Sequence, residues 1–317
     1  IIRLAVPPRH ASTEHSERGR GAPSPSQWQA PSGEGWDAYG GAGFVDALAD
    51  GGAPRAVWTA LPGRAGLVRR WTALLGDAIR AALASGRGAL VIVATAAQAE
   101  AVATALKEEL LPALDEPIVV LTAEGGPARR YRAFLRVLLG TARIVVGTRA
   151  AAFAPVRGLG LAVIWDDGDN RLDERHAPYT HARTVLALRS GLEGAGLLVA
   201  GYARSIEAQS FVEQGWAEEL SAPRSLRRAA VARVHAPNAT RLEAEGSSGI
   251  ARIPSLAHRA VRDALADGPV LVQVSRSGYA PVVACRRCGQ AARCPHCGGP
   301  LAMETAGVTT CRWCARG

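Results

Sequence analysis

Lysine is almost missing from this chain. Lys107 is the single lysine among 317 residues, so every other fixed positive side chain is an arginine. A phosphate-binding loop ending in Gly-Lys-Ser/Thr needs a compact ammonium to reach the β and γ oxygens. Lys107 follows no glycine turn and lies between Leu106 and Glu108 in a helical stretch, which excludes a lysine-based phosphate loop. Long apolar runs are missing as well. None reaches eighteen residues, so no membrane span is expected. The first residues, Ile1-Ile2-Arg3-Leu4, contain neither an initiator Met nor the pattern of a secretory leader, so the chain reads as entered midway. Cysteine is absent from the first 284 residues. Without secretion, the six clustered at the end fit metal ligands better than disulfides.

What is present is concentrated in that last stretch. Cys285-Arg286-Arg287-Cys288, Cys294-Pro295-His296-Cys297 and Cys311-Arg312-Trp313-Cys314 form three C-x2-C knuckles. Two thiolates of a knuckle grip one side of a tetrahedral zinc ion, and a second knuckle supplies the other side. All six cysteines are candidate ligands, yet knuckles close sites in pairs. Either one is idle or its partner lies outside the chain. A thioredoxin-like redox role for Cys294 and Cys297 needs a helix opening at the motif. Gly298-Gly299-Pro300 follows instead and breaks helices.

The net charge of +9 and pI of about 9.9 favour polyanionic partners, nucleic acid first, although a chain rich in Ala, Gly and Arg also drifts basic by composition. Residues 1–40 are rich in Pro, Gly and Ser and lack apolar periodicity, so they read as a linker or disordered segment, with Ile1–Val6 the end of something earlier. From Gly41, continuous Val/Ile/Leu strands alternate with amphipathic helices. Strands are expected near 54–60, 89–94, 117–122, 142–147, 161–165 and 196–201. Helices are expected near 67–85, 97–111, 128–139, 181–189 and 205–216. That order predicts an α/β fold, a doubly wound parallel sheet covered on both faces, over 41–225. Ala229–His235 reads as a connecting strand, Asn238–Ser248 as a polar loop, Leu256–Leu265 as a helix and Pro269–Val274 as a strand. Together they make 226–276 the opening of a second α/β domain, followed by a cysteine module over 277–317.

An open parallel sheet takes its ligand at the carboxyl ends of its strands. After the first strand stand Gly63, Arg64 and Gly66 without a lysine, so any nucleotide site there is degenerate. Asp166 and Asp167 follow another strand, where a magnesium ligand would sit. With no phosphate loop opposite, a solvated acidic turn fits them better. Gly147-Thr148-Arg149 could present amides and a guanidinium to a phosphate, or be a glycine turn with a surface arginine. His181 reads as a helix cap. Arg129, Arg130, Arg132 and Arg136 form a basic helix face, solvated unless nucleic acid is present. No catalytic triad stands out, and no catalytic residue is assigned.

Ile144-Val145-Val146-Gly147-Thr148-Arg149-Ala150 resembles the "IVIGTRSA" segment of the primosomal protein N′ (PriA) family of replication-restart helicases. Val163-Ile164-Trp165-Asp166-Asp167 stands where that family has "VVDEEHD", and Tyr179-Thr180-His181-Ala182-Arg183 resembles its "YHAR". Ser275-Arg276-Ser277-Gly278-Tyr279-Ala280-Pro281, leading to Cys285, resembles "NRRGYAP" before the first zinc cysteine. The cysteine spacing is similar too. Three features depart: the strand-1 loop, Asp166-Asp167-Gly168-Asp169 in place of "DEEH", and Ala200-Gly201-Tyr202-Ala203-Arg204-Ser205 in place of "SATPS". A divergent branch of the family lacks the helicase motifs, and this chain resembles that branch, as a fragment.

The resemblance implies a RecA-like (P-loop-NTPase-like) domain, the start of a second one and a zinc module. It implies replication restart and primosome assembly: binding branched or forked DNA and helping reload the replicative helicase. Partners would be the helicase-loading machinery and single-stranded DNA-binding protein, in a cytoplasmic, nucleoid-associated setting. Without the lysine, neither ATPase nor helicase activity is expected; the alternatives are an active ATP-dependent helicase and a zinc-ribbon interaction module with no DNA role. In the family eight cysteines hold two Zn2+ ions. By that resemblance Cys294, Cys297, Cys311 and Cys314 form one closed site around a hairpin in 300–310. Cys285 and Cys288 are half of another whose remaining ligands would follow Gly317.

Overall fold

The computed structural model describes residues 6–17, 29–65, 68–110, 117–124, 126–246, 253–273, 282–305 and 307–316. Contacts divide the chain into two compact units, 1–232 and 233–317.

The first unit opens with helix α1 (Ala11–Glu17), a 3-10 turn over Glu34–Tyr39 and helix α2 (Ala42–Ala49). There follow β1 (Arg55–Thr59), the two-residue strands β2 (Arg64–Ala65) and β3 (Val68–Arg69), α3 (Arg70–Ala84), β4 (Gly88–Ile92), α4 (Ala96–Leu110) and β5 (Ile118–Leu121). Next come α5 (Pro127–Leu139), β6 (Ile144–Gly147), β7 (Leu159–Trp165), α6 (Ala182–Glu193), β8 (Gly196–Gly201), α7 (Ile206–Glu213), β9 (Glu218–Ser221) and α8 (Arg224–Ala230). Seven strands form one sheet in the order β5-β6-β4-β7-β8-β1-β9, with every pairing parallel. The doubly wound parallel sheet expected from the sequence is what forms.

Its strands read as continuous apolar runs because both faces are covered. Successive side chains point to opposite faces, and the two cores divide accordingly. Val91, Val93, Val146, Leu161 and Val163 pack under Trp36, Phe44, α3 and α4. Leu90, Ile92, Val145, Ala162 and Ile164 pack under α5, α6 and α7. One glycine is dictated by this packing. A Cβ on Gly147 would lie 2.4 Å from the Leu121 carbonyl oxygen and 2.4 Å from the Ala151 methyl.

The structure changes the linker reading of 1–40 over 6–17 and 29–40; 1–5, with the reading of Ile1–Val6 as the end of something earlier, and 18–28 lie outside the described residues. Trp36 and Tyr39 are fully buried, and α1 lies against α5 with Thr13 and Glu17 buried. Two aromatic rings and a handful of specific contacts anchor a stretch whose composition alone could not. Ala229–His235 is not a strand: residues 224–230 are helical and 232–235 irregular.

The second unit, described by itself, carries α9 (Ala239–Ala244) within the segment read as a loop, nucleated by Asn238, whose Oδ1 accepts from the Arg241 amide at 3.0 Å. The expected helix is α10 (Ser255–Ala264). No strand forms at 269–273, and Val274 lies outside the described residues, as does Ser275–Pro281. An isolated β segment has no ladder partner to satisfy its backbone, and among the described residues none is offered here. The hairpin expected over 300–310 forms from β10 (Leu301–Thr305) and β11 (Val308–Cys311), paired antiparallel.

Candidate metal centre and a filled nucleotide edge

The three knuckles share one backbone design. In each, the amide of the residue after the second cysteine donates to the carbonyl of the first: Gly289 N–H to Cys285 O, Gly298 N–H to Cys294 O and Ala315 N–H to Cys311 O, all 2.9 Å. Gly289, Gly298 and Ala315 all sit at positive φ, which glycine adopts freely and alanine does not. In each knuckle the amides of the third and fourth residues also point at the first sulphur. The thiols of Cys285, Cys294 and Cys311 are held below their ordinary value mainly by that of the fourth, Cys288, Cys297 and Cys314 respectively. This is thiolate-stabilising geometry built by sequence-local turns.

Only the second and third knuckles meet. The sulphurs of Cys294, Cys297, Cys311 and Cys314 all lie within 4.8 Å of one another, with Cys297–Cys311 at 3.4 Å and Cys294–Cys314 at 3.8 Å. Four sulphurs so close cannot all be thiolates without a cation. Cys311 is drawn down to about 6, first by the Cys314 amide. Cys297 is pushed up to about 12: the Gly299 amide opposes the rise, but contact with the Cys311 sulphur and burial outweigh it. The cluster could hold a metal ion, and four thiols in two C-x2-C turns fit a tetrahedral one. Cys285 and Cys288 are exposed and belong to no such group among the described residues.

At the sheet, β1, β8 and β7 lie side by side, so the loops after them leave one edge. Trp58, Ala200 and Trp165 stand in one cross-strand row there. Trp165 stacks on Trp71 with centroids 3.8 Å apart and planes 13° from parallel, and meets Tyr202 edge-on at 5.1 Å. Trp58 joins at 6.2 Å and carries Trp36 at 4.7 Å and Tyr39 at 5.5 Å. Aromatics are 5% of the chain, yet these rings form one connected cluster. The sequence reading missed it, because Trp36 lay in the supposed linker and the other rings at segment ends.

This cluster occupies the edge where a phosphate loop would work. The Ala60 amide donates to Gly201 O at 2.9 Å and the Leu61 amide to Tyr39 Oη at 3.0 Å. Gly63 is exposed at positive φ. Beyond it, Arg64–Ala65 pair with Val68–Arg69 as a short antiparallel hairpin, not as a nest of free amides. Gly66 lies outside the described residues. A cleft of about 540 Å³ opens beside the stack, lined by Trp71, Thr72, Gln98, Val102, Glu108 and Trp165, with no basic side chain among its described lining.

The acidic pair divides. Asp166 is exposed at positive φ, its carboxyl raised by partial burial and then by the charges of Asp169 and Asp167. Asp167 is 2% exposed, which corrects the solvated-turn reading for that residue. It accepts from Arg183 Nη1 at 2.7 Å and from Ser205 Oγ at 2.5 Å. Arg183 is itself 7% exposed and reaches Glu207 at 3.3 Å. The three segments singled out by motif therefore converge, but on an ion pair. His181 caps α6, its Nδ1 accepting from the Arg183 amide at 2.9 Å, and burial lowers its pKa.

Arg149 is also taken. Its Nε donates to Glu174 at 3.0 Å and its Nη1 to Asp173 O at 3.0 Å, so no free guanidinium follows the Gly147 turn. Glu174 falls to about 2, through the His176 hydrogen bond first and Arg149 after it. Three of the four arginines on the basic face of α5 are likewise paired. Arg132 and Arg136 share buried Glu17 of α1 at 3.5 and 3.3 Å, and Arg129 meets Glu100 at 3.2 Å.

No family model matches the chain. A protein described as "Probable replication restart protein PriA" from Mycobacterium leprae is 43% identical over all of this chain and 48% of its own length. One so described from Mycobacterium tuberculosis H37Rv is 43% identical over the same shares. "Replication restart protein PriA" of Bacillus subtilis is 22% identical over 70% of this chain and 27% of its own length. The chain spans about half the length of the mycobacterial relatives it matches. Among solved structures, RecG bound to a three-way DNA junction aligns over 69% of this chain and 26% of its own at TM-score 0.41 and 11% identity. Domain 2 of the DEAD-box helicase Mss116p, bound to an RNA duplex, aligns over 67% and 78% at TM-score 0.38 and 16% identity.

Proposed function

We propose that this chain, a relative of the replication restart proteins PriA along its whole length, works in replication restart by binding branched DNA and does not hydrolyse ATP. The observation that carries the second half is the filled edge. A nucleotide's phosphates need a cation and free amides opposite an acidic pair. Here the stacked Trp71 and Trp165 lie at that edge, and Asp167 is committed to Arg183 and Ser205. The chain keeps the doubly wound sheet as a scaffold while the means of polarising a γ-phosphate is gone. Zinc is the ion we assign to Cys294, Cys297, Cys311 and Cys314, a closed tetrathiolate site of structural type. Binding to DNA rests on phosphate contacts from arginines, and recruitment of the helicase-loading machinery and of single-stranded DNA-binding protein follows from the same kinship.

The test is one purified sample and two readouts. Forked DNA binding should weaken steeply as salt rises, and ATP turnover should stay at background with the fork present. Fork-stimulated hydrolysis that disappears in Asp166→Ala would overturn the proposal in favour of an active helicase. Fork binding indifferent to salt would favour a zinc module without phosphate contacts.

A further inference from the structure

Arginines of the first unit are largely engaged by carboxylates, as at Arg132, Arg136, Arg149, Arg183, Arg189 and Arg204. The cysteine turns differ. Between residues 282 and 316 stand Arg286, Arg287, Arg293, Arg312 and Arg316 against the single acid Glu304. All five are exposed, and none makes an ion pair among the described residues. Amid them is Trp313, 70% exposed, whereas Trp36, Trp58, Trp71 and Trp165 are buried.

Trp313 is also held still. Its amide donates to Cys311 Sγ at 3.4 Å. Its ring lies so close over Gly299 that a Cβ there would be 2.9 Å from Trp313 Cγ and Cδ2. The ring thus spans the second and third knuckles with its other surface open. Arg312 and Arg316 flank it in sequence; Arg316 Nη1 lies 3.1 Å from His296 Nδ1, and the Arg312 amide donates to Pro300 O at 3.0 Å. A rigid, exposed indole costs little entropy to use, and unpaired arginines beside it attract a polyanion.

We propose that Trp313 is a stacking platform for an unpaired base of single-stranded nucleic acid, with Arg312 and Arg316 on the adjoining phosphates. A stacked base is worth about 1–3 kcal/mol and is insensitive to sequence. Bases within a duplex are already stacked and offer no free face, so the platform discriminates single strand from duplex. This rests on the proposed function for nucleic acid being a partner at all.

The experiment uses the full chain with its metal content verified, a fluorescent oligo-dT and a duplex of equal length. Trp313→Ala should weaken oligo-dT binding by about 5- to 150-fold, the range that one stacked base corresponds to. Duplex affinity should stay the same. Trp313→Phe should recover most of the loss. Wild-type fluorescence should be quenched by oligo-dT, and the quench should shrink in Trp313→Phe, a readout that survives even if Trp313→Ala loses its metal. Unchanged oligo-dT affinity and quench in the variants overturn the platform alone and leave the ring as a protein contact. An equal loss on single strand and duplex overturns it as well. Wild-type protein binding neither oligonucleotide overturns both the platform and the proposed function.

Discussion

The two units hold themselves together by opposite means. The sheet unit is built on two apolar cores, one on each face, with the rings of Trp36, Trp58, Trp71 and Trp165 linked through the first. It also buries an ion pair, Asp167 with Arg183. In the cysteine module over 282–316 the buried apolar residues, among those described, are Cys294, Ala302 and Cys311, alongside a two-stranded hairpin. A module with so little core offsets little of the entropy of ordering itself, and a metal ion held by the four converging sulphurs could supply what is missing. The difference teaches where each unit is vulnerable and where its charges are free. In the first, charge is neutralised internally to permit burial. In the second, a metal can do the holding, and the arginines of 282–316 make no ion pair among the described residues.

The largest effect expected is loss of the metal. Structural zinc in finger peptides contributes about 10–16 kcal/mol, so a strong chelator, or Cys294→Ser with Cys311→Ser, should expose 282–316 to protease while 41–225 still melts cooperatively. Cys288→Ser should leave metal content unchanged. Elemental analysis and limited proteolysis read both, and an intact module after complete metal removal would erase the contrast between the units. Next is Asp167→Ala, which strips a buried guanidinium of its buried carboxylate and leaves it the residue-167 carbonyl and exposed Glu207. Breaking a buried pair costs about 3–5 kcal/mol, seen as a lower denaturant midpoint of the sheet unit with metal content unchanged. An unmoved midpoint would place the pair among decorations of the fold.

The smallest effect concerns Glu174. Its folded pKa is depressed from 4.5 to about 2 by His176 and then Arg149, so its contribution is fully present above 4.5 and is lost as pH falls from 4.5 through about 2. Hydrogen bonds to a charged group contribute about 1.5–3 kcal/mol. Glu174→Gln should cost that much by denaturant titration at pH 7, and the gap from wild type should narrow steadily below pH 4.5. A gap independent of pH would assign the effect to packing.

Much of this was legible from periodicity. The strands at 89–94, 161–165 and 196–201 announce themselves as continuous apolar runs, and the helices between them as amphipathic repeats. The knuckles were legible because their ligands are close in sequence and their turns are local. The misread segments failed for one reason. Trp36 and Tyr39 fold into the core because Trp58 and Phe44 are there to receive them, which no local pattern in residues 1–40 reveals. Likewise α1 is positioned by Glu17 reaching Arg132 and Arg136, more than a hundred residues away. Ala229–His235 had strand-like side chains, yet its first residues complete helix α8. Three buried indole N–H groups, on Trp36, Trp58 and Trp71, have no acceptor among the described residues, a cost of about 1–3 kcal/mol each where it stands, which the burial of large rings can outweigh.

By itself the sequence determined the parallel sheet, the missing phosphate-loop lysine and the three cysteine knuckles, because each is written in residues near one another along the chain. The pairing of the second and third knuckles, expected from the family resemblance, is the one the fold brings together, whereas only the tertiary structure decided that Asp167 faces Arg183 instead of solvent and that tryptophans fill the edge a nucleotide would use. Those outcomes depend on strand order and on long-range burial, where side chains remote in sequence compete for the same few ångströms.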